Sequence, residues 1–195
     1  MAPQDPVVRR LVNEMNRSLL ADRFRNSSVS PLTAEGEMFP SAVLPVTALN
    51  KAGELRVFPM KWGFPRKGGL LINARCETAP QKPTFCESWQ KHRCIITVSW
   101  YFEWDHSQGK GSIQKYALRP EGATSVRLAG LYRMENDLPV FVILTRPADE
   151  KLLWMHSRMP LMLSASDAEQ WIRLGSDPES LIRKSLTRIV WDLAV

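Results

Sequence analysis

The hydrophobic positions of this 195-residue chain change period once along its length. Val7, Val8, Leu11, Val12, Met15, Leu19 and Leu20 recur at i, i+3, i+4 spacing, which predicts an amphipathic helix over residues 6–25. Asp5-Pro6 supplies an N-cap followed by proline at the first helical position. Asn26-Ser27-Ser28 through Glu37 is polar and reads as loop. From Ala42 onward, short apolar runs alternate with turn signals. They predict strands over Val43–Leu49, Leu55–Pro59, Leu70–Ala74, Cys94–Ser99, Ile113–Leu118, Val126–Tyr132 and Val140–Leu144. Asn50-Lys51-Ala52-Gly53 and Ser107-Gln108-Gly109-Lys110-Gly111 read as hairpin turns. Short helices are predicted over Glu87–His92, Ala148–Met155 and Ala165–Leu174, the last capped by Ser164 and stopped by Gly175. With strands in the middle, helices at the ends and no βαβ rhythm, the pattern predicts an α+β fold, β-rich, with mixed or antiparallel pairing. One domain over residues 1–195 is expected.

Composition narrows the class. A chain of this length buries roughly 70% of its unfolded surface and needs no disulfide or metal to hold it together. Seven Trp and seven Phe are ample core material. No apolar run approaches the ~18 residues of a membrane span, and the first ten residues have no apolar core of a secretory leader. Three Cys without close spacing fit a reduced compartment, so a cytoplasmic protein is expected, nucleoid-associated if bacterial. The formal net charge is +6. Its distribution says more than its size. Residues 51–100 carry nine basic side chains against three acidic ones, so that quarter holds the whole excess. Trp62, Phe64, Phe85, Trp89 and Trp100 lie in the same quarter. Cations interleaved with aromatic rings suit a strand of nucleic acid; the plain alternative is a solvated basic face over core aromatics.

The chemistry-bearing residues fall in three segments. Asn73, Arg75 and Glu77 alternate at the end of an apolar run and so share one strand face, as a polar site or as an Arg–Glu pair with Asn in a turn. In Trp100-Tyr101-Phe102-Glu103-Trp104, a carboxylate fenced by aromatic rings can exchange protons near neutral pH; period two equally allows an outward-facing Glu. In His156-Ser157-Arg158-Met159-Pro160, Pro160 holds Met159 extended, and His156 and Arg158 can reach one anionic ligand; a structural His is the alternative. Cys76, Cys86 and Cys94 show no zinc spacing, and no metal is expected. A Cys94–His156 nucleophile pair is a third reading, set against a buried cysteine acting as a small hydrophobe.

The ordered set of these segments resembles the SOS response-associated peptidase (SRAP) family. It comprises Pro40-Ser41 with Pro45-Val46, Lys61-Trp62-Gly63-Phe64, Asn73-Ala74-Arg75-Cys76-Glu77-Thr78, Arg93-Cys94-Ile95-Ile96 and Trp100-Tyr101-Phe102-Glu103-Trp104. It continues with Ala129-Gly130-Leu131-Tyr132, Phe141-Val142-Ile143-Leu144-Thr145 and His156-Ser157-Arg158-Met159-Pro160. The resemblance implies a barrel-like β-rich fold with peripheral helices, acting as a monomer without cofactor on abasic sites in single-stranded DNA, in the DNA-damage (SOS) response. It implies covalent protein–DNA linkage: an N-terminal Cys amine forms a Schiff base with the sugar aldehyde, and its thiol closes a thiazolidine. It also implies peptidase (hydrolase) and lyase-type activity. By motif, Asn73 would orient the amine, Glu103 would act as acid and base, and His156 would assist sugar ring opening. Arg75 and Arg158 would hold phosphates, with Thr145 also at the DNA, and Trp62 would stack on a base.

The family begins Met-Cys-Gly-Arg, whereas this sequence begins Met1-Ala2-Pro3-Gln4 and has no Cys before Cys76. As written it is expected to be a truncated or crosslink-deficient member. The alternative is a non-catalytic single-stranded DNA-binding module of the same fold.

Overall fold

The structure, a computed structural model, describes residues 36–105 and 114–194. The predicted helix over 6–25 and the turn at 107–111 lie outside the described residues. Twelve strands are described: β1 (Val43–Leu49), β2 (Leu55–Trp62), β3 (Phe64–Arg66), β4 (Gly69–Leu71), β5 (Asn73–Arg75), β6 (Arg93–Val98), β7 (Tyr101–Asp105), β8 (Gln114–Pro120), β9 (Val126–Glu135), β10 (Leu138–Pro147), β11 (Arg158–Pro160) and β12 (Ile189–Leu193). Three helices accompany them: α1 (Cys86–Lys91), α2 (Ala165–Ile172) and α3 (Pro178–Arg183).

Strands β10, β2, β1, β6 and β9 pair in that order, and β9 pairs back onto β10. The ring closes into a five-stranded barrel, mixed because β10 runs parallel to β2 while the other pairs are antiparallel. Closure leaves these strands without free edges. Two turns set the register. In the β1–β2 hairpin, Asn50 Oδ1 accepts from the Ala52 and Glu54 amides, both at 2.9 Å, and Gly53 takes φ +77°. Between β9 and β10, Asn136 and Asp137 both take positive φ, 49° and 64°, the requirement of a two-residue hairpin loop of the twisted kind.

Alternation along the strands divides the core in two. Leu44, Val46, Ala48, Met60, Cys94, Ile96, Leu128 and Phe141 fill the barrel. Ile95, Ala129, Leu131, Val140, Val142 and Leu144 point the other way, under Trp89 of α1, Trp171 of α2 and Leu181 of α3. Gly130 stands where β6, β9 and β10 crowd: a Cβ there would lie 2.7 Å from Ile96 Cδ1 and 2.8 Å from the Val142 carbonyl oxygen.

Several expectations are corrected. Leu70–Ala74 is not one strand. It breaks at Ile72, because β4 folds back on β3 while β5 joins β10 in parallel. Residues 148–155 form only a 3₁₀ turn, Glu150–Leu152, capped by Asp149. Asp177-Pro178 opens α3, a helix absent from the predicted set although its N-cap and proline signal matches the one read at Asp5-Pro6. Arg93, counted in the basic segment, is 5% exposed. Its guanidinium donates to the Trp171 carbonyl at 2.6 Å and the Arg173 carbonyl at 2.7 Å. It thereby satisfies the carboxyl end of α2, where a cation is favoured, and is not part of a surface that meets solvent.

Candidate functional site

The long strand β10 organises the site. On one edge it pairs first with β2 and then, from Ile143 to Thr145, with β5. On the other it leaves β9 and takes up β11 from Thr145 to Pro147. Thr145 is therefore flanked by Arg75 on β5 and Pro160 on β11. Along 73–77 the predicted alternation holds: Asn73, Arg75 and Glu77 are exposed while Ala74 and Cys76 are buried. The carboxylate does not pair with Arg75, however. Arg158 takes it with both terminal nitrogens, Nη1 to Glu77 Oε1 at 2.6 Å and Nη2 to Oε2 at 2.9 Å. The same Nη2 donates to the Thr145 carbonyl at 2.7 Å. Hydrogen bonding from Arg158 holds the Glu77 carboxyl below its usual range, against the opposing effect of partial burial. Arg75 makes no ion pair among the described residues.

Arg158 also lines a small cleft with Tyr101, Glu103, Leu118, Leu152, Met155, His156 and Met159. Glu103 and His156, far apart in sequence, thus meet at one opening. His156 is exposed, and its Nδ1 lies 2.8 Å from the Arg158 carbonyl oxygen and 3.1 Å from the Arg158 amide. Both contacts come from its own loop, and they fix the ring through Nδ1 whichever tautomer it adopts.

Period two explains the surroundings of Glu103. Tyr101 and Glu103 share one face of β7, opposite Leu118 and Tyr116 of β8. Phe102 and Trp104 lie on the other face, where Lys115 Nζ sits 4.0 Å from the Phe102 ring centre and 5.7 Å from that of Trp104. The aromatic fence is therefore two-sided, and the ring sharing the Glu103 side of β7 is Tyr101. The Tyr101 hydroxyl is buried without a hydrogen-bond partner among the described residues. Burial first, and then the Glu103 charge, push its phenol pKa up, so it remains a neutral donor. Tyr101 is not among the candidate residues named from sequence, although its i, i+2 relation to Glu103 marks it.

Asn73 and Trp62 do not line the cleft. Asn73 stands on β5 opposite Ile143. Trp62 is half-buried, stacked on Phe141 at 6.3 Å, with its Nε1 donating to the Ile72 carbonyl at 2.9 Å. The cysteines are removed from the cleft lining as well. Cys94 is fully buried in the barrel, where desolvation pushes its thiol up; burial, and then Glu77, raise Cys76 to about 11. The Cys94–His156 pairing is corrected accordingly. Among the described residues no three His, Cys, Asp or Glu side chains are placed to hold a metal ion, and no helix is long and apolar enough to cross a membrane.

Relatives include abasic site processing protein YoqW of Bacillus subtilis, 28% identical over 178 residues, covering 82% of this chain and 79% of the relative. Abasic site processing protein YedK of Escherichia coli is 31% identical over 126 residues, covering 61% and 56%. A crystal structure of a Bordetella bronchiseptica protein has the same fold, with TM-score 0.68 at 21% identity, covering 90% of this chain and 95% of that one. A family model described as SOS response associated peptidase (SRAP) matches residues 8–191, and the chain belongs to that family.

Proposed function

We propose that the protein recognises abasic sites in single-stranded DNA and that His156 and Glu103 move protons as the sugar ring opens and its aldehyde reacts. The observation that carries the reading is the convergence of these two residues on one cleft, beside an arginine already locked by a carboxylate. The names of the relatives, abasic site processing proteins, supply the substrate.

An abasic deoxyribose equilibrates between a closed hemiacetal and an open aldehyde. Opening transfers the C1′ hydroxyl proton to a base and returns a proton to the ring oxygen, a step suited to His156 through Nε2. When an amine is presented, its nitrogen adds to C1′, and the resulting hydroxyl takes a proton from Glu103 and leaves as water. The iminium is the product; in the reverse step water adds to C1′ and Glu103 as carboxylate takes the proton it gives up. Asn73 would orient the amine. Tyr101 stands beside Glu103 as a neutral donor.

Of Arg75 and Arg158, Arg75 is the one left for a phosphate among the described residues, since Glu77 balances the charge of Arg158. We assign Arg158 to holding the His156 loop, with its phosphate contact secondary, and Thr145 to the backbone path between them. Trp62 keeps its place as a base-stacking candidate through the exposed part of its ring.

The reading is tested by fluorescence anisotropy with a single strand carrying one tetrahydrofuran abasic analogue. Binding should exceed that of the undamaged strand and fall steeply between about 50 and 200 mM salt. Arg75→Ala should weaken binding to all sequences alike. Equal affinity for damaged and undamaged strands, or indifference to salt, overturns the reading.

A further inference from the structure

Beside the cleft lies an aromatic cluster that the proton transfers leave unused. The ring of Trp154 stands 5.5 Å from that of Tyr116 at 90° and 6.1 Å from that of Trp191 at 61°. Trp154 is 42% exposed and Trp191 36%, and Leu153 and Leu193 are more exposed still. So much indole on one surface marks a contact site.

Strand register ties this cluster to the cleft. Glu103 is opposite Tyr116, which is opposite Leu193; Tyr101 is opposite Leu118, which is opposite Trp191. All six side chains belong to one face of the β7–β8–β12 sheet. Trp154 packs on that face and is followed directly by Met155 and His156, both of which line the cleft. The aromatic surface is thus the continuation of the cleft wall.

We propose that Trp154 and Trp191 form a stacking platform for an unpaired nucleobase adjoining the sugar held at Glu103 and His156. The placement of that sugar rests on the function proposed above. Both indole contacts are edge-on rather than stacked, and each indole keeps a substantial exposed share. Every nucleobase has a π-face that suits such a surface whatever its identity. Lys151, one turn before Trp154, is exposed and supplies a cation for the accompanying phosphate.

The test uses the full chain and two oligonucleotides of equal length. One carries a single tetrahydrofuran flanked by normal bases; in the other the flanking bases are also replaced by tetrahydrofuran. Wild type should bind the first about tenfold more tightly. Trp154→Ala should shrink that difference severalfold while binding the second strand like wild type. Trp154→Phe, which keeps a ring, should retain most of it, and thermal melts establish that each variant is folded. A 2-aminopurine at the flanking position should be quenched by wild type and not by Trp154→Ala. Equal losses on both strands, or no dependence on the flanking bases, overturn the platform. Wild-type affinities in Trp154→Ala overturn it too and make the patch a protein contact. A protein that does not prefer abasic DNA, yet loses base-dependent binding to an ordinary single strand on Trp154→Ala, refutes the abasic reading and leaves the platform standing.

Discussion

Arg158 grips Glu77 through both terminal guanidinium nitrogens, at 2.6 and 2.9 Å, and so bolts β11 to the residues following β5 across the end of β10. The bidentate geometry makes this more than an ordinary surface ion pair. The Arg158 main chain in turn holds the imidazole of His156, so the pair sets where the cleft places that ring.

Because the pair lowers the Glu77 pKa, its contribution to stability has a defined pH window. It is present in full above the ordinary carboxylate value of 4.5 and is lost as the pH falls through the depressed folded value. Glu77→Gln should therefore melt below wild type at pH 7, and the gap should close under acid. Paired thermal melts between pH 3 and 7 check this, and a gap independent of pH would contradict it.

The barrel makes a second demand. Gly130→Ala puts a methyl 2.8 Å from a backbone oxygen that belongs to β10, so a rotamer change cannot relieve the clash. Overpacking of this kind costs about 1–3 kcal/mol, or a fall of roughly 3–10 °C in melting temperature for a chain of this size. Calorimetry would read it; an unchanged melting temperature would mean that β9 and β10 separate more easily than the barrel implies.

The thiols should react unequally. Burial raises Cys76 and Cys94, whereas Cys86 is partly exposed at the start of α1. Iodoacetamide on the native protein at about pH 7.5 should label Cys86 first, and the other two only after unfolding. Mass spectrometry of the labelled peptides would decide. Rapid labelling of Cys94 would reopen its reading as a nucleophile.

Much of this architecture is written in local pattern. Val43–Leu49 is predicted residue for residue because one face is buried and period two is unbroken there. The Ser164 cap of α2 is found for a similar reason, since its signal spans four residues. Barrel closure is not local: it depends on β10 pairing in parallel with β2 while it also pairs with β9, and no stretch of sequence encodes that join. The site divides in the same way. Asn73, Arg75 and Glu77 are recognisable as a face, but the partner of Glu77 is Arg158, brought over by the β10–β11 pairing rather than by proximity in the chain. Tyr101 and the Trp154–Trp191 pair escape notice because exposed or half-buried aromatics look like core material until the sheet face is known.

Proton transfer from Glu103 to an abasic sugar would be followed by borohydride trapping of the imine on single-stranded DNA with one natural abasic site. This chain and the same chain preceded by Met-Cys-Gly-Arg would be compared, each with and without Glu103→Gln. A trapped adduct is expected whose formation slows by about 100-fold or more on Glu103→Gln, with DNA affinity little changed. Equal trapping rates with and without the substitution would contradict it.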